Sequence, residues 1–590
     1  MAMRESPETL VELLGFQARQ RPDNIAYVFL SERGQETDRL TFSELDRRAR
    51  ALAERLADIS DVGDRILLLF PPGLHFVVGF FASAMAGLIS VPMMVPRRNS
   101  TRDSAENIVA DCQPRFLLTN HEMISSPRGN TLQRLSQEGC QRLVLEEIEH
   151  TQAVNRRPLP TIRPSDVAFL QYTSGSTSTP KGVAVGHGNL IANLEMMRRT
   201  LGTTEKSTCV SWLPLYHDMG LILNVLQTLN TGALCVLMAP GTFIQRPIVW
   251  LRAISKYRAE IAGAPNFAYD LCVDRLASNI EALDGLDLSC WQNAYNAAEH
   301  VRADTIERFT SAFARFGFQP QAMAPCYGMA EATLMLSGTP RGRGPVAKLV
   351  SRAALLQHDV IEPAESDDEQ VAVGSGRPLP GVHIAIVDPD DFRRLETNRI
   401  GEIWARGSII TRGYWNNENE TARTFHAQIT AEGDERWLRT GDLGFLDENG
   451  EVFVTGRIKD VLIIRGMNHY PQDIEATVQA AHPALRRHCG AAFLLADDND
   501  IERLVVVQEV ERTQRGTIDR DEVCALIREA IASEHELSVQ QIILTLPNSV
   551  PKTTSGKIQR GLTRTLWLGG QLPELNSEQA GNTEKLPVSA

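Results

Sequence analysis

Four absences narrow the reading of this 590-residue chain. Its nine cysteines, at 112, 140, 209, 235, 272, 290, 326, 489 and 524, include no Cys-x-x-Cys pair, so neither a zinc site nor a disulfide framework is suggested. Most fall in apolar runs such as 233–238, where a reduced thiol packs as a small hydrophobe, and a cytoplasmic location is expected. Positive charge is also scarce. Sixty Lys and Arg against 73 Asp and Glu leave a net charge of −13, which argues against non-specific nucleic-acid binding and supplies no polybasic membrane patch. The first residues, Met-Ala-Met-Arg-Glu-Ser-Pro-Glu, hold no apolar core or cleavage pattern, so no secretory signal is expected. Residues 66–96 carry no Asp, Glu, Lys or Arg over 31 positions. Pro71, Pro72, Gly73 and His75 divide that run into a strand at 66–70 and an apolar helix reaching Gly87, a buried β-α unit rather than a stable membrane span.

What is present, 43% hydrophobic and 23% charged residues, is a globular composition in a chain long enough for more than one domain. The expected partner is a small molecule or a protein. Thr41 with Glu44 forms a capping-box pattern, and Leu45, Ala49, Leu52, Ala53 and Leu56 follow at helical spacing. Strand-like runs at 66–70, 116–119, 167–171, 183–185, 208–212, 233–238 and 291–295 alternate with helical stretches, which predicts an α/β domain with mostly parallel strands. No internal repeat is visible. Residues 340–373 are weakly patterned and read as a surface insertion. Alternation at 382–387 and 400–404 predicts a small antiparallel subdomain, and a compact α+β unit is expected beyond 456–460. The polar stretch 571–590 reads as a disordered tail.

Four segments offer chemistry. Residues 172–183 place six Ser/Thr hydroxyls, two glycines and Lys181 after an apolar strand, a run suited to cradling polyphosphate, or else a solvated Ser/Thr-rich loop. It is not a P-loop, because no Gly-Lys-Ser/Thr ends it and 182–185 read as another strand. In 437–442, Asp442 follows a glycine turn, so its carboxylate either accepts from two ribose hydroxyls or closes a turn leading to the hairpin signal at 447–450. Tyr327 and Glu331 set a flat ring and a carboxylate four residues apart, for a base and a magnesium ion, or for the core and a helix start. Lys557, in a second hydroxyl- and glycine-rich turn at 551–558, is either a surface lysine or a cation that offsets charge at an α-phosphate.

Together and in this order, the segments 173–182, 212–220, 296–299, 327–331, 440–442, 456–460 and 551–557 resemble the adenylate-forming superfamily of acyl-CoA synthetases, luciferases and peptide-synthetase adenylation domains, over roughly residues 10–568. The resemblance implies a large multi-subdomain N-terminal adenylate-forming domain at 1–458 and a small mobile C-terminal domain at 459–570, joined by a hinge at Lys459. It implies that Thr173, Ser174, Gly175, Ser176, Thr177 and Lys181 hold the triphosphate of ATP. Ala297, Ala298 and Tyr327 would flank the adenine, with Asn296, Gly328 and Met329 also nucleotide-binding, Asp442 and Arg457 would hold the ribose, and Glu331 would meet Mg2+. Lys557 would contact both the carboxylate and the α-phosphate, with His217 beside the reacting carboxylate. Leu221, Gly263, Ala264, Pro265 and Asn266 are the expected acyl-pocket residues.

Within that superfamily the wording at 171–180, which carries Ser178 where most CoA ligases have glycine, and at 212–220, 263–271 and 465–474 is similar to fatty acyl-AMP ligases. The stretch before Gly374 falls where those ligases carry an insertion that restrains the small domain. Three positions depart from the pattern: His300 for proline, Ser375 for cysteine and Met467 for arginine. Met467 lies near the presumed acceptor face and bears on partner choice. The resemblance implies that a fatty acid is joined to AMP with release of pyrophosphate. The acyl group then passes to the phosphopantetheine of a separate acyl carrier protein, or of a carrier domain of a polyketide or peptide synthase. A fatty acyl-CoA ligase is the alternative; an amino-acid-activating domain and a non-catalytic nucleotide sensor are more distant ones.

Overall fold

Helix Phe42–Ile59 begins where its capping pattern places it. Thr41 Oγ1 accepts from the Glu44 backbone N–H at 3.1 Å while the Glu44 carboxylate accepts from the Thr41 N–H at 2.9 Å, satisfying two donors the first turn would otherwise leave unpaired. Leu45, Ala49, Leu52, Ala53 and Leu56 are all completely buried. Each leucine contributes about 1.5–3 kcal/mol by leaving water. The uncharged run behaves as expected too: strand Arg65–Leu68 and helix Leu74–Met85 are separate elements. Among the described residues, no helix is long and apolar enough to cross a membrane.

The computed structural model describes residues 6–94, 104–127, 129, 132, 135, 140–150, 157–173, 180–276, 283–465, 467–496, 502–553 and 556–575. Two large sheets form the N-terminal part. The first has six strands in the order Gln141–Val144, Phe116–Thr119, Arg65–Leu68, Ile89–Pro92, Val167–Thr173, Lys181–Gly186, parallel except at the last pair. The second has nine, with Met323–Gly328, Asn293–Asn296, Ile261–Ala264, Thr208–Ser211, Leu234–Met238 and Ile25–Leu30 as its parallel centre. This is the α/β architecture read from the sequence. A four-stranded antiparallel sheet, His383–Val387, Gly401–Arg406, Leu438–Leu446 and Val452–Arg457, follows. Beyond it a smaller unit packs helices Pro471–Ala480 and Arg520–His535 on a three-stranded sheet around its own core of Ile474, Val506, Ile527 and Leu544. All nine cysteines are buried free thiols.

Three expectations need correction. The stretch 340–373 is patterned: Ala347–Ser351 and Glu369–Val373 pair antiparallel, and Val350, Leu355 and Val360 are buried against Phe445, Phe453 and Tyr470. Gly441 and Asp442 do not follow a turn but sit inside the continuous strand Leu438–Leu446. Glu402 pairs with Leu443 while Trp404 pairs with Arg439, so 440–442 bulge, with Gly441 at φ +71°. The donors freed by the bulge find side chains: Gly441 N–H reaches Glu402 at 3.0 Å and Asp442 N–H reaches Thr440 Oγ1 at 3.1 Å. The tail is ordered at its start, since Leu572 and Leu575 are buried and the Leu575 N–H donates to Leu544 O at 2.9 Å; 576–590 lie outside the described residues.

Candidate active site

The bulge aims Asp442 into a cleft and the following hairpin returns Arg457 opposite it. Arg457 Nε lies 3.0 Å from Asp442 Oδ1, and the Tyr327 hydroxyl donates to Asp442 Oδ2 at 2.8 Å. The Asp442 charge raises the Arg457 pKa against the opposing effect of burial. Tyr327 is the last residue but one of strand Met323–Gly328, so its ring stands near the rim of the large sheet. Burial, then the Asp442 charge, pushes its phenol well above the ordinary range. A hairpin partner and a ring 115 residues distant thus share one carboxylate.

A second group lies alongside. Glu331 is buried in the short turn Ala330–Ala332 and accepts from the Tyr414 hydroxyl at 2.8 Å; burial raises its pKa. Lys181 Nζ sits 2.6 Å from Glu420 and 5.0 Å from the centre of the Tyr414 ring. The chain at 413–415 is stitched to strand Lys181–Gly186 by the Trp415 N–H to Gly182 O bond, 2.7 Å. Tyr414 and Glu420, the latter in helix Glu418–Phe425, are absent from the residues read from the sequence, because no local periodicity or motif marks them. Thr173 is the last described residue before the hydroxyl-rich loop, and Ser174, Gly175, Ser176, Thr177 and Ser178 lie outside the described residues.

Asn296, Ala297 and Ala298 leave the end of strand Asn293–Asn296, with Ala298 at φ +72°. Gly328 closes the strand, paired with Met335, and Met329 follows it into the turn Ala330–Ala332. His217 Nδ1 is 2.6 Å from Asp218 Oδ1. Asp218 caps an eight-residue π-helix, Met219–Leu226, that contains Leu221. Burial pushes the Asp218 carboxyl up, but the His217 charge and hydrogen bond outweigh it and hold it below its ordinary value. Gly263 and Ala264 end strand Ile261–Ala264, and Pro265 leads into Asn266. Asn266 is fully engaged by protein: its amide donates to Thr305 and accepts from Asn296 and the Arg302 N–H. It braces the strand ends instead of facing a pocket.

Lys557 reaches this cleft from the smaller unit. Its loop turns at Gly556, φ +92°, so close to the Phe267 ring that a Cβ there would lie 3.0 Å from it. Lys557 is open to the cleft, yet loss of bulk water and the Arg457 charge lower its pKa, while Asp442, Asp218 and Glu299 pull it back up. The docked arrangement is fastened elsewhere: His488 Nε2 lies 2.9 Å from the buried Asp270. The 340–373 segment adds Arg352–Glu534 at 2.8 Å, Gln370–Asp473 at 3.2 Å and Asn468 N–H to Leu356 O at 3.1 Å. Lys459 is exposed in the short turn Ile458–Asp460 between the units.

Two α/β sheets, an antiparallel third, and a lysine loop brought over the cleft by a small C-terminal unit are the layout of adenylate-forming enzymes. Residues 15–415 match the model described as AMP-binding enzyme, and 459–577 match the Disco-interacting protein 2-like AMP domain. The chain belongs to the AMP-binding enzyme family, on its fatty acyl-AMP ligase branch. It is 41% identical over 572 residues to the medium-chain-fatty-acid–[acyl-carrier-protein] ligase JamA of Moorena producens, covering 96% of each chain. It is 36% identical over 582 residues to the long-chain-fatty-acid–AMP ligase FadD26 of Mycobacterium marinum, covering 95% of this chain and 97% of that one. The fatty acyl-adenylate ligase of L. pneumophila, solved with acyl adenylate and pyrophosphate, matches with a TM-score of 0.74 at 36% identity, covering 97% of both chains.

Proposed function

We propose that this enzyme joins a fatty acid to the α-phosphate of ATP, releases pyrophosphate, and passes the acyl group to the phosphopantetheine thiol of a separate acyl carrier protein. The observation that carries the reading is the Asp442 carboxylate held by Arg457 Nε at 3.0 Å and the Tyr327 hydroxyl at 2.8 Å, with the charges of Asp442, Asp218 and Glu299 acting on Lys557 of the smaller unit. In this reading Asp442, fixed by Tyr327 and Arg457, still has lone pairs for the two ribose hydroxyls, and the Tyr327 ring offers a face for adenine. Lys181 exchanges Glu420 for phosphate oxygens. Lys557 holds the carboxylate beside the α-phosphorus and offsets charge as the in-line attack proceeds; His217, fixed by Asp218, lines the same corner.

Magnesium is implied by the family. Among the described residues no cluster of three or more His, Cys, Asp or Glu could cage a metal, but Mg2+ at nucleotide sites commonly uses one or two carboxylates plus phosphates and water. Glu331, buried with a single hydroxyl partner, fits that need. When bound, the ion would neutralise phosphate charge. For transfer the small unit turns about Lys459, so the His488–Asp270 pair and the contacts of the 340–373 segment must part. Those contacts must break for either acceptor, so the choice of a carrier protein over free CoA draws on the relatives. The naming of one relative as an acyl-carrier-protein ligase agrees with this. Incubation with ATP, magnesium and fatty acid, with either a carrier protein or CoA, tests it: acyl-adenylate and acyl-carrier are expected, and abundant acyl-CoA would refute the choice of acceptor.

A further inference from the structure

Strands Ile261–Ala264 and Asn293–Asn296 run parallel with Gly263 opposite Tyr295. The Tyr295 ring lies across Gly263 so closely that a Cβ at 263 would come 2.3 Å from its Cγ and Cδ2. The ring is completely buried, and its hydroxyl donates to Asn224 Oδ1 at 2.7 Å. Asn224 is the single polar side chain of the π-helix sequence Met-Gly-Leu-Ile-Leu-Asn-Val-Leu. Its Oδ1 also accepts from the Cys209 thiol at 3.3 Å, and its Nδ2 donates to Met219 O at 3.0 Å. Ring and amide therefore form a pinned bar between the sheet and the π-helix.

The strand register shows what lies on either side. Toward the strand ends come Ala264, Asn296 and Ala297, with His217 and Asp218 at the start of the π-helix. Two residues back lies Ile261, paired with both Cys209 and Asn293. There a cavity of about 10 Å³, too small for a methylene chain, is lined by Leu201, Leu223, Ala233 and Ile261 together with the polar Gln227 and Thr228. A fatty acid with its carboxylate at Lys557 and His217 would run its alkyl chain under the apolar π-helix toward this bar.

Resting on the fatty-acid reading above, we propose that Tyr295, pinned by Asn224, sets the depth of the acyl pocket and limits the enzyme to medium-length chains, the volume its ring fills being the depth it denies. A closely packed ring cannot yield to extra methylenes without breaking its buried hydrogen bond. The test is kcat/KM for pyrophosphate release over saturated acids from six to sixteen carbons. The wild type is expected to decline beyond a medium-length optimum. Tyr295→Ala is expected to raise activity on fourteen carbons relative to eight by at least about tenfold, the scale by which an apolar pocket discriminates methylenes. Tyr295→Phe keeps the ring and is expected to keep the cut-off; should the alanine variant not fold, Tyr295→Val, suited to a strand, carries the same expectation. A folded Ala or Val variant with the wild-type profile, or a Phe variant that shifts as far, would overturn the bar. A wild type that adenylates no fatty acid would overturn the underlying reading instead.

Discussion

Tyr327 and Asp442, 115 positions apart, are joined by a 2.8 Å hydrogen bond from phenol to carboxylate. The bond ties the rim of the large parallel sheet to the bulge of the antiparallel one, and Arg457 completes the brace. Asp442→Ala is expected to lower kcat/KM for ATP at least about a hundredfold, because the proposed charge-assisted contact to the sugar is lost and Arg457 is left without its partner. Tyr327→Phe, which keeps the ring but frees the carboxylate, should cost about tenfold or less. ATP-dependent adenylate formation measures both.

Lys557→Ala is expected to cut acyl-adenylate formation by about 10²–10³-fold while leaving the thermal midpoint nearly unchanged, since the side chain is open to the cleft. The ammonium is the active form and its pKa is drawn down by lost solvation and by Arg457. Activity should therefore fall with rising pH before the roughly 10.4 of a free lysine. A Lys557→Arg enzyme, which does not deprotonate in that range, should keep its residual rate there. Rate profiles of the two enzymes from pH 7 to 10.5 check the sign.

The His488–Asp270 pair holds the small unit down. Burial opposes the Asp270 charge, but the His488 hydrogen bond and charge, with Thr305 and Arg308, hold its carboxyl below the ordinary value. Its contribution to the docked fold is complete above the unfolded value near 3.9 and is lost as pH falls through the lower folded one. His488→Ala should weaken docking by about 1.5–3 kcal/mol. It is expected to slow adenylation more than acyl transfer, and single-turnover rates of the two half-reactions separate these effects.

Thr41→Ala removes one half of the capping box and should cost about 1 kcal/mol of stability, read as a lower denaturant midpoint, with kcat unaltered because the helix is remote from the cleft.

Local signals were legible in the sequence and distant pairings were not. The Thr41–Glu44 cap and the spacing of Leu45 to Leu56 depend on neighbours three and four residues away, and both form as read. Glu331 and Tyr414 meet across 83 positions, and no periodicity announces such a contact. The 340–373 segment looked unpatterned because its hairpin buries only one face: Val350 is covered while Leu349 and Val371 are exposed, so apolar residues stand on both sides. Leu572 and Leu575 were hidden in polar surroundings, their burial supplied by strand Val539–Thr545 and its neighbours.

The central claim is that this cleft makes a fatty acyl-adenylate destined for a protein thiol. Mass spectrometry of purified enzyme with a medium-chain acid, ATP and magnesium, given equal concentrations of CoA and phosphopantetheinylated carrier protein, tests it most directly. The account predicts acyl-AMP before the acceptors are added and acyl-carrier afterwards, with little acyl-CoA. Acyl-CoA as the main product, or no acyl-AMP at all, would contradict it.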